Sequence, residues 1–194
     1  MSNPEIVLAR HGETEWSLNL RHTGTSDIPL TDKGRRHAEA LGTRLAGREF
    51  AAVFTSPLSR AAETCRLAGL GDQAVVREEL VEWDYGEYEG LTTAEIRETV
   101  PGWTIWSHDI PGGENAEQVG ARCDALIEDM LRFEGDVACF AHGHLLRVLG
   151  ARWMGIAPER GANLALSTGT LSVLGWERAN RTLQLWNDGS HIED

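Results

Sequence analysis

The sequence predicts an α/β protein, a three-layer α/β/α sandwich around a mainly parallel central sheet. Short apolar runs typical of buried strands alternate with longer segments whose apolar residues recur at helical spacing. This alternation favours parallel strands joined by helices that cover both faces of the sheet. The 194 residues contain no repeat, linker or low-complexity tract, so one domain spanning residues 1–194 is expected.

The first strand and the first long helix flank a polar segment. A β-type apolar run begins at Ile6 and stops at Arg10. Residues 16–29 show no clear period and are unusually long for a plain connection. Thr31 has the side chain of a helix cap, and apolar residues at helical spacing follow it. A helix is therefore predicted from Asp32.

Two further strands and a helix are predicted in the next part of the chain. Residues 52–55 read as a strand, which breaks at Ser56-Pro57. A proline disfavours helical geometry in the residue before it, so the next helix is expected to begin after Pro57. A break at Gly69-Leu-Gly71 precedes a short strand over residues 74–76.

The remaining elements lie in the second half of the chain. Thr92-x-x-Glu95 is a capping box that opens a short helix, and an amphipathic helix is predicted from about Ala116 to Phe133. The apolar run 137–141 is typical of a buried strand. The last predicted elements are a helix through Leu146, Leu149 and Trp153 and a strand pair over residues 170–176 and 182–186.

The charge and the cysteines limit the class of partner and the compartment. A formal net charge of −12 argues against a nucleic-acid partner. No apolar run approaches the roughly 18 residues of a membrane span, so no membrane partner is expected. Cys65, Cys123 and Cys139 are scattered among apolar neighbours, which predicts buried free thiols. With no secretory signal pattern at the N-terminus, a cytoplasmic location is expected.

Three predicted strand ends carry polar groups that suit an anion. Arg10-His11-Gly12 follows the first strand, Arg60 lies just inside the helix after the second, and His142-Gly143-His144 follows a later one. Because the carboxyl ends of parallel strands meet at one edge of a sheet, these groups are expected to converge. Two arginines and two or three histidines around one point form a phosphate site.

A zinc site is the alternative, since three histidines suffice as ligands. The arginines would repel a cation, and the chain has no HExxH motif, so no metal is predicted. Phosphoryl transfer without a metal needs a nucleophile, charge neutralisation and a proton donor. A neutral imidazole can attack phosphorus, and a carboxylic acid in apolar surroundings can donate the proton. Glu82, between Val81 and Trp83, fits the second role.

Four motifs, in this order, carry a resemblance to a known family. They are Arg10-His11-Gly12-Glu13-Thr14, Ser56-Pro57-x-x-Arg60-Ala61-x-x-Thr64, Leu80-x-Glu82-x-x-x-Gly86-x-x-x-Gly90 and His142-Gly143-His144. Together they resemble the histidine phosphatase (phosphoglycerate mutase-like) superfamily across nearly the whole chain. The resemblance implies that family's sandwich fold and a cofactor-free phosphoric monoester hydrolase that acts on a small phosphorylated metabolite.

The resemblance also implies roles at the matching positions. His11 is then the nucleophile that becomes phosphohistidine, and Glu82 is the proton donor. Arg10, Arg60 and His142 form the phosphate pocket. The positions implied to contact the phosphate or the rest of the substrate are Ser17, Thr23, Gly24, Tyr85, Trp106, Gly143 and His144.

Mutases and phosphatases of this family share the pocket, so the surrounding segments distinguish them. Phosphoglycerate mutases carry a long basic lid after the Glu motif, whereas residues 92–113 are short and contain one arginine, Arg97. The stretches Glu82–Leu91 and Phe140–His144 are similar to the branch with yeast-type sedoheptulose bisphosphatase and actinobacterial acid phosphatases. A phosphatase is therefore predicted, with a mutase and a non-catalytic phospho-ligand-binding domain as alternatives. The aromatic residues of the short segment suit a homodimer interface or a lid.

Overall fold

A six-stranded sheet forms the centre of the molecule in the computed structural model, which describes residues 3–192. The strands are β1 (Ile6–Arg10), β2 (Ala52–Thr55), β3 (Ala74–Val76), β4 (Val137–Ala141), β5 (Leu171–Glu177) and β6 (Asn180–Asp188). The helices are α1 (Glu15–Leu18), α2 (Asp32–Leu45), α3 (Ser59–Leu67), α4 (Thr93–Thr99), α5 (Ala116–Met130) and α6 (Gly143–Trp153). The predicted α/β class is confirmed. The span of one domain over 1–194 stays a prediction, since its first and last two residues lie outside the described range.

The strand order places the three predicted site loops side by side. The order is β3-β2-β4-β1-β5-β6, and the first four of these strands are parallel to one another. β5 and β6 extend the sheet antiparallel, so the sheet is mostly parallel, as predicted. The carboxyl ends of β1, β2 and β4 therefore meet at one edge, where loops of α/β proteins bind ligands.

Helices cover both faces of the sheet, which gives three layers. Successive strand side chains point to opposite faces. Ile6 and Leu8 accordingly pack in one apolar cluster with α5 and α6, whereas Val7 and Ala9 pack in the other with α2 and α3. The resulting two-sided burial explains why β1 reads as a continuous apolar run.

Two helix boundaries illustrate what local sequence determines. α2 begins where predicted, because the Thr31 hydroxyl accepts a hydrogen bond from the backbone N–H of Gly34 at 3.0 Å. α5 ends at Met130 and not at the predicted Phe133. The N–H groups of Arg132 and Phe133 bond to carbonyls three residues back, and this tighter turn ends the α-helix.

The polar segment 16–29 was expected to have no regular structure, and this is wrong at its start. α1 occupies Glu15–Leu18 and is capped by Thr14, whose hydroxyl accepts from the N–H of Ser17 at 3.1 Å. The Ser17 hydroxyl in turn accepts from the Thr14 N–H at 2.9 Å. A four-residue helix is too short to show a hydrophobic period, so the pattern could not reveal it.

The three cysteines are buried and unpaired, as predicted. Burial raises the pKa of each thiol, which keeps all three protonated and unreactive. Over residues 3–192, every helix is too short or too polar to cross a bilayer.

Candidate active site

The loops after β1, β2 and β4 are joined by backbone hydrogen bonds. The N–H of His11 donates to the carbonyl of Ala141 at 3.0 Å, and the N–H of Ser56 donates to Phe140 at 3.0 Å. The His11 and His142 rings consequently lie 5.2 Å apart, centroid to centroid. The predicted convergence of these strand ends is confirmed.

His11 is held as a neutral imidazole with one free nitrogen. Its Nδ1 lies 2.7 Å from the carbonyl oxygen of Gly12, which can only accept, so Nδ1 carries the proton. Nε2 has no protein partner within the described residues and is not buried away from solvent. Burial, together with the charges of Arg10 and Arg60, holds the pKa of His11 well below its usual value. The free Nε2 lone pair is therefore available at neutral pH.

Gly12 joins the His11 loop to α2 and α3. Its N–H donates to the hydroxyl of Thr64 at 3.0 Å, and that hydroxyl donates to the carbonyl of Arg60 at 2.7 Å. A Cβ at position 12 would lie 2.4 Å from the carbonyl oxygen of Gly34 in α2. Glycine is required here because the two backbones approach too closely for a side chain.

Arg60 is fully buried and binds protein groups. Its guanidinium donates to the carbonyls of Thr23, Gly24 and Ser26 at 2.8–3.1 Å. Its Nε donates to His142 Nδ1 at 3.2 Å. Arg60 therefore holds the segment 23–26 and contributes positive charge beneath His11.

The same contact defines the state of His142. Because a guanidinium can only donate, His142 Nδ1 is the acceptor and Nε2 carries the proton. Nε2 lies 2.8 Å from the hydroxyl of Ser56 and donates to it. Burial and the charge of Arg60 hold the pKa of His142 well below its usual value, so the ring is neutral.

Arg10 contributes positive charge to the cavity. One of its terminal nitrogens donates to the carbonyl of Leu166. Its Nε is buried and has no partner in residues 3–192. Arg10 lines the cavity into which His11 opens.

Glu82 is buried, but its surroundings differ from the expected apolar ones. Its carboxylate accepts three backbone N–H bonds of 2.8–2.9 Å, from Trp83, His144 and Leu145. Two of these donors belong to the first turn of α6, whose N-terminus attracts negative charge. The expected apolar surroundings are therefore wrong, because residues distant in the chain supply polar donors. They fix the carboxylate at the cavity wall.

The His11 cavity is the space of about 660 Å³ over the nucleophile. The predicted site residues that line it are Arg10, His11, Ser17, Thr23, Glu82, Tyr85, Gly143 and His144. Four other predicted residues, Gly24, Arg60, Trp106 and His142, do not line it. Arg60 and His142 lie behind His11, and Gly24 is enclosed by contacts to Glu89 and Arg60.

Tyr85 and His144 form a pair on the cavity wall, with the Tyr85 hydroxyl 2.6 Å from His144 Nδ1. Trp106 packs behind His144 at 5.3 Å between ring centroids and under the guanidinium of Arg147 at 4.6 Å. Trp103 is buried against the ring of His22. The tryptophans of segment 92–113 are thus packed against this chain.

Among the cavity residues that were not predicted as site residues, four have side chains that can carry a positive charge. Arg21, His22, Arg97 and Arg147 all line the His11 cavity. Burial lowers the pKa of His22 to about 4, so its ring is neutral. Arg147 follows His144 by three residues on α6, and this helical spacing was the available signal. Arg21 and His22 lie in a segment without a period, which offered no signal.

The cavity concentrates positive charge in an acidic protein. Arginines 10, 21, 97 and 147 line it, and Glu82 is its one carboxylate within residues 3–192. This balance contrasts with the net charge of −12 and favours an anionic ligand. No group of three or more His, Cys, Asp or Glu side chains in residues 3–192 is arranged to hold a metal ion.

Comparison with known proteins finds relatives along nearly the whole chain. The family model of the histidine phosphatase superfamily (branch 1) matches residues 6–189. An acid phosphatase of Mycobacterium tuberculosis is 40% identical over 185 residues, which cover 93% of this chain and 91% of that protein. Sedoheptulose 1,7-bisphosphatase of Saccharomyces cerevisiae is 34% identical, covering 81% and 70%. A 2,3-bisphosphoglycerate-dependent phosphoglycerate mutase of Mesorhizobium japonicum is 38% identical, covering 84% and 88%.

Solved structures share the whole architecture. An open reading frame product of Mycobacterium tuberculosis superposes with a TM-score of 0.89 at 40% identity, covering 95% of this chain and 97% of that one. A mycobacterial glucosyl-3-phosphoglycerate phosphatase gives a TM-score of 0.85 at 27% identity, covering 95% and 98%. The chain therefore belongs to the histidine phosphatase superfamily (branch 1), an assignment consistent with a phosphoric monoester hydrolase.

Proposed function

We propose that this protein is a metal-independent phosphomonoesterase that hydrolyses a small phosphorylated sugar or sugar acid through a phosphohistidine at His11. One observation carries the proposal. His11 is neutral and anchored at Nδ1, and its free Nε2 opens into a cavity that Arg10 and Glu82 also line. A nucleophile, an anion-binding donor and an acid thus share one cavity.

In the first step, Arg10 binds the phosphoryl group and His11 Nε2 attacks phosphorus. A P–N bond forms, the P–O bond to the leaving group breaks, and protonated Glu82 gives its proton to the departing oxygen. In the second step, the Glu82 carboxylate takes a proton from water, which attacks phosphorus. The P–N bond then breaks, releasing phosphate and neutral His11. The neighbouring arginine charges stabilise the phosphoryl oxygens in both steps.

The names of relatives support the substrate class. One is a sedoheptulose 1,7-bisphosphatase, and a structural neighbour is a glucosyl-3-phosphoglycerate phosphatase. Both names refer to phosphorylated sugars or sugar acids. The mutase alternative is not favoured, because α4 and the residues after it form a short segment in place of a basic lid.

Phosphate release in the presence of excess EDTA tests this function. The substrate panel contains 3-phosphoglycerate, sugar mono- and bisphosphates and an aryl phosphate. We expect release that survives EDTA and is lost in His11→Ala. His108→Ala is the matched control, since His108 bonds to Thr104 outside the cavity and its loss should leave the rate unchanged.

Two outcomes would contradict the proposal. Loss of release with EDTA would indicate a metal-dependent reaction. Interconversion of phosphoglycerate isomers without phosphate release would make the enzyme a mutase. A phospho-enzyme that is acid-labile and absent from His11→Ala would identify the intermediate directly.

A further inference from the structure

A second cavity, of about 820 Å³, lies between α2 and the residues that follow β6. We call it the α2 cavity. Its lining residues that carry charge or can carry it are Lys33, Arg36, His37, Arg44 and His191. It is lined by no carboxylate within the described part of the chain, and it shares no lining residue with the His11 cavity.

Two of these cations are not neutralised by the protein. Arg44 forms a salt bridge with Asp188 at 3.4 Å. Lys33 and Arg36 are exposed and make no salt bridge to any residue from 3 to 192. They are three residues apart on α2, so they project from the same face of the helix.

The two histidines of the α2 cavity leave ring nitrogens unpaired. His37 is 8% exposed, and neither of its ring nitrogens has a hydrogen-bond partner among residues 3–192. His191 Nδ1 is likewise buried without a partner, whereas its Nε2 lies 2.9 Å from the carbonyl of Gly169. Such atoms are rare in folded proteins, and only five side-chain atoms of residues 3–192 are in this state. One of the other two is Arg10 Nε in the active site.

We propose that the α2 cavity binds a small phosphorylated ligand at a site separate from the active site. Phosphate is the chemistry that fits, because guanidinium and ammonium groups donate to several phosphate oxygens at once. The volume is larger than inorganic phosphate requires, so the site accommodates an organic phosphate ester. The proposal does not depend on the catalytic role of His11.

The α2 cavity adjoins the backbone that holds the nucleophile. The carbonyl oxygen of Gly169 lies 2.9 Å from His191 Nε2. The N–H of Gly169 donates to the carbonyl of His11, also at 2.9 Å. A Cβ at Gly169 would lie 3.1 Å from the Cβ of His37. Gly169 thus links the lining residue His191 to the His11 backbone.

Histidine side-chain NMR spectra, recorded while inorganic phosphate is added, test the proposal. We expect saturable shifts of the His37 and His191 ring nitrogens, with a midpoint different from that of His11. In Lys33→Gln/Arg36→Gln, the midpoint for His37 and His191 should rise at least about tenfold, because two charge-assisted contacts are lost. The His11 midpoint should not change.

The matched control is Arg132→Gln/Arg160→Gln, which removes the same charge from exposed positions outside both cavities. It should leave both midpoints unchanged. Three results would overturn the proposal: no shift at His37 and His191, shifts that follow the His11 midpoint, or an equal response in the double variant and the control. The four substituted residues are exposed, so both double variants should fold like the unmodified protein.

Discussion

The protonation state of His11 is imposed by its immediate neighbours. The Gly12 carbonyl fixes the tautomer, and burial beside Arg10 and Arg60 lowers the pKa of the ring. Because the neutral form persists below the usual histidine pKa, the nucleophile stays active in mildly acidic solution. Burial makes the charged form of the His11 ring unfavourable, and it therefore maintains the neutral, reactive form.

The proposed role of Glu82, proton donation to the leaving oxygen, can be tested with a single substitution. Glu82→Gln removes the exchangeable acid and keeps one oxygen, which can accept one of the two N–H bonds from α6. We expect kcat to fall about 10²- to 10⁴-fold for sugar phosphates, whose leaving oxygen needs a proton. Aryl phosphates, which have good leaving groups, should lose less in the first step and show a burst of aryl product.

Rapid-mixing kinetics with both substrate types measure this difference. The exposed neighbour variant Glu87→Gln is the control and should behave like the unmodified enzyme. An equal loss for sugar and aryl phosphates would contradict proton donation by Glu82 to the leaving group.

At the scale of elements, single hydrogen bonds join strand ends to helices. The Thr64 hydroxyl on α3 accepts from Gly12 after β1 and donates to the first turn of its own helix. α6 contributes to Glu82 through its first N–H groups. The geometry of the active site consequently depends on how α3 and α6 dock against the sheet.

Thr64→Val should therefore affect stability and catalysis together. The substitution keeps the shape but leaves the buried Gly12 N–H unpaired, so we expect a loss of about 1–3 kcal/mol in the free energy of unfolding. Urea denaturation measures this loss, and kcat should fall because the His11 loop loses an anchor.

Thr64→Ser retains the hydroxyl and is the matched control. It removes one buried methyl group, so it should lose some stability while kcat stays close to that of the unmodified enzyme. If the serine and valine variants lost kcat equally, packing would explain the effect and the anchoring bond would not.

The length of an element decided whether its sequence pattern could predict it. α2, α5 and the strands were predicted because a hydrophobic period or an apolar run extends over their length. α1 was missed because four residues hold little more than one turn. Its capping box was also hidden, since Ser17 occupies the position where glutamate or glutamine is usual.

At the scale of the whole molecule, the sheet gathers positive charge from distant segments into an acidic protein. Arg10, Arg97 and Arg147 come from three parts of the chain and face one cavity. Several histidines are buried there as well, and they must remain neutral in the folded state. Folding thus links the stability of the protein to pH.

We expect the free energy of unfolding to fall as the pH drops from about 6.5 toward 4. Burial lowers the pKa of His22 to about 4 and also lowers the pKa values of His11, His142 and His144. Below pH 6.5 these histidines bind protons in the unfolded chain but stay neutral in the folded chain. Acid therefore favours unfolding. For His22 alone, the shift corresponds to a change on the order of 3 kcal/mol.

Urea denaturation at a series of pH values measures this dependence. His22→Gln removes one titrating ring, so its free energy of unfolding should decrease less steeply over the same range. The carboxylates titrate in both proteins, so their contribution to the pH dependence cancels when the two curves are compared. Parallel curves would show that His22 is not held neutral by the fold.

The sequence by itself determined the α/β class, the parallel strands and the convergence of three motif-bearing loops. These follow from local properties: hydrophobic period, helix capping and the direction of consecutive strands. The tertiary structure decided which group each buried donor or acceptor meets. Arg60 binds backbone carbonyls more than thirty residues away, and Glu82 receives N–H groups 62 and 63 residues along the chain. Such partners depend on how elements dock, and no local pattern encodes that.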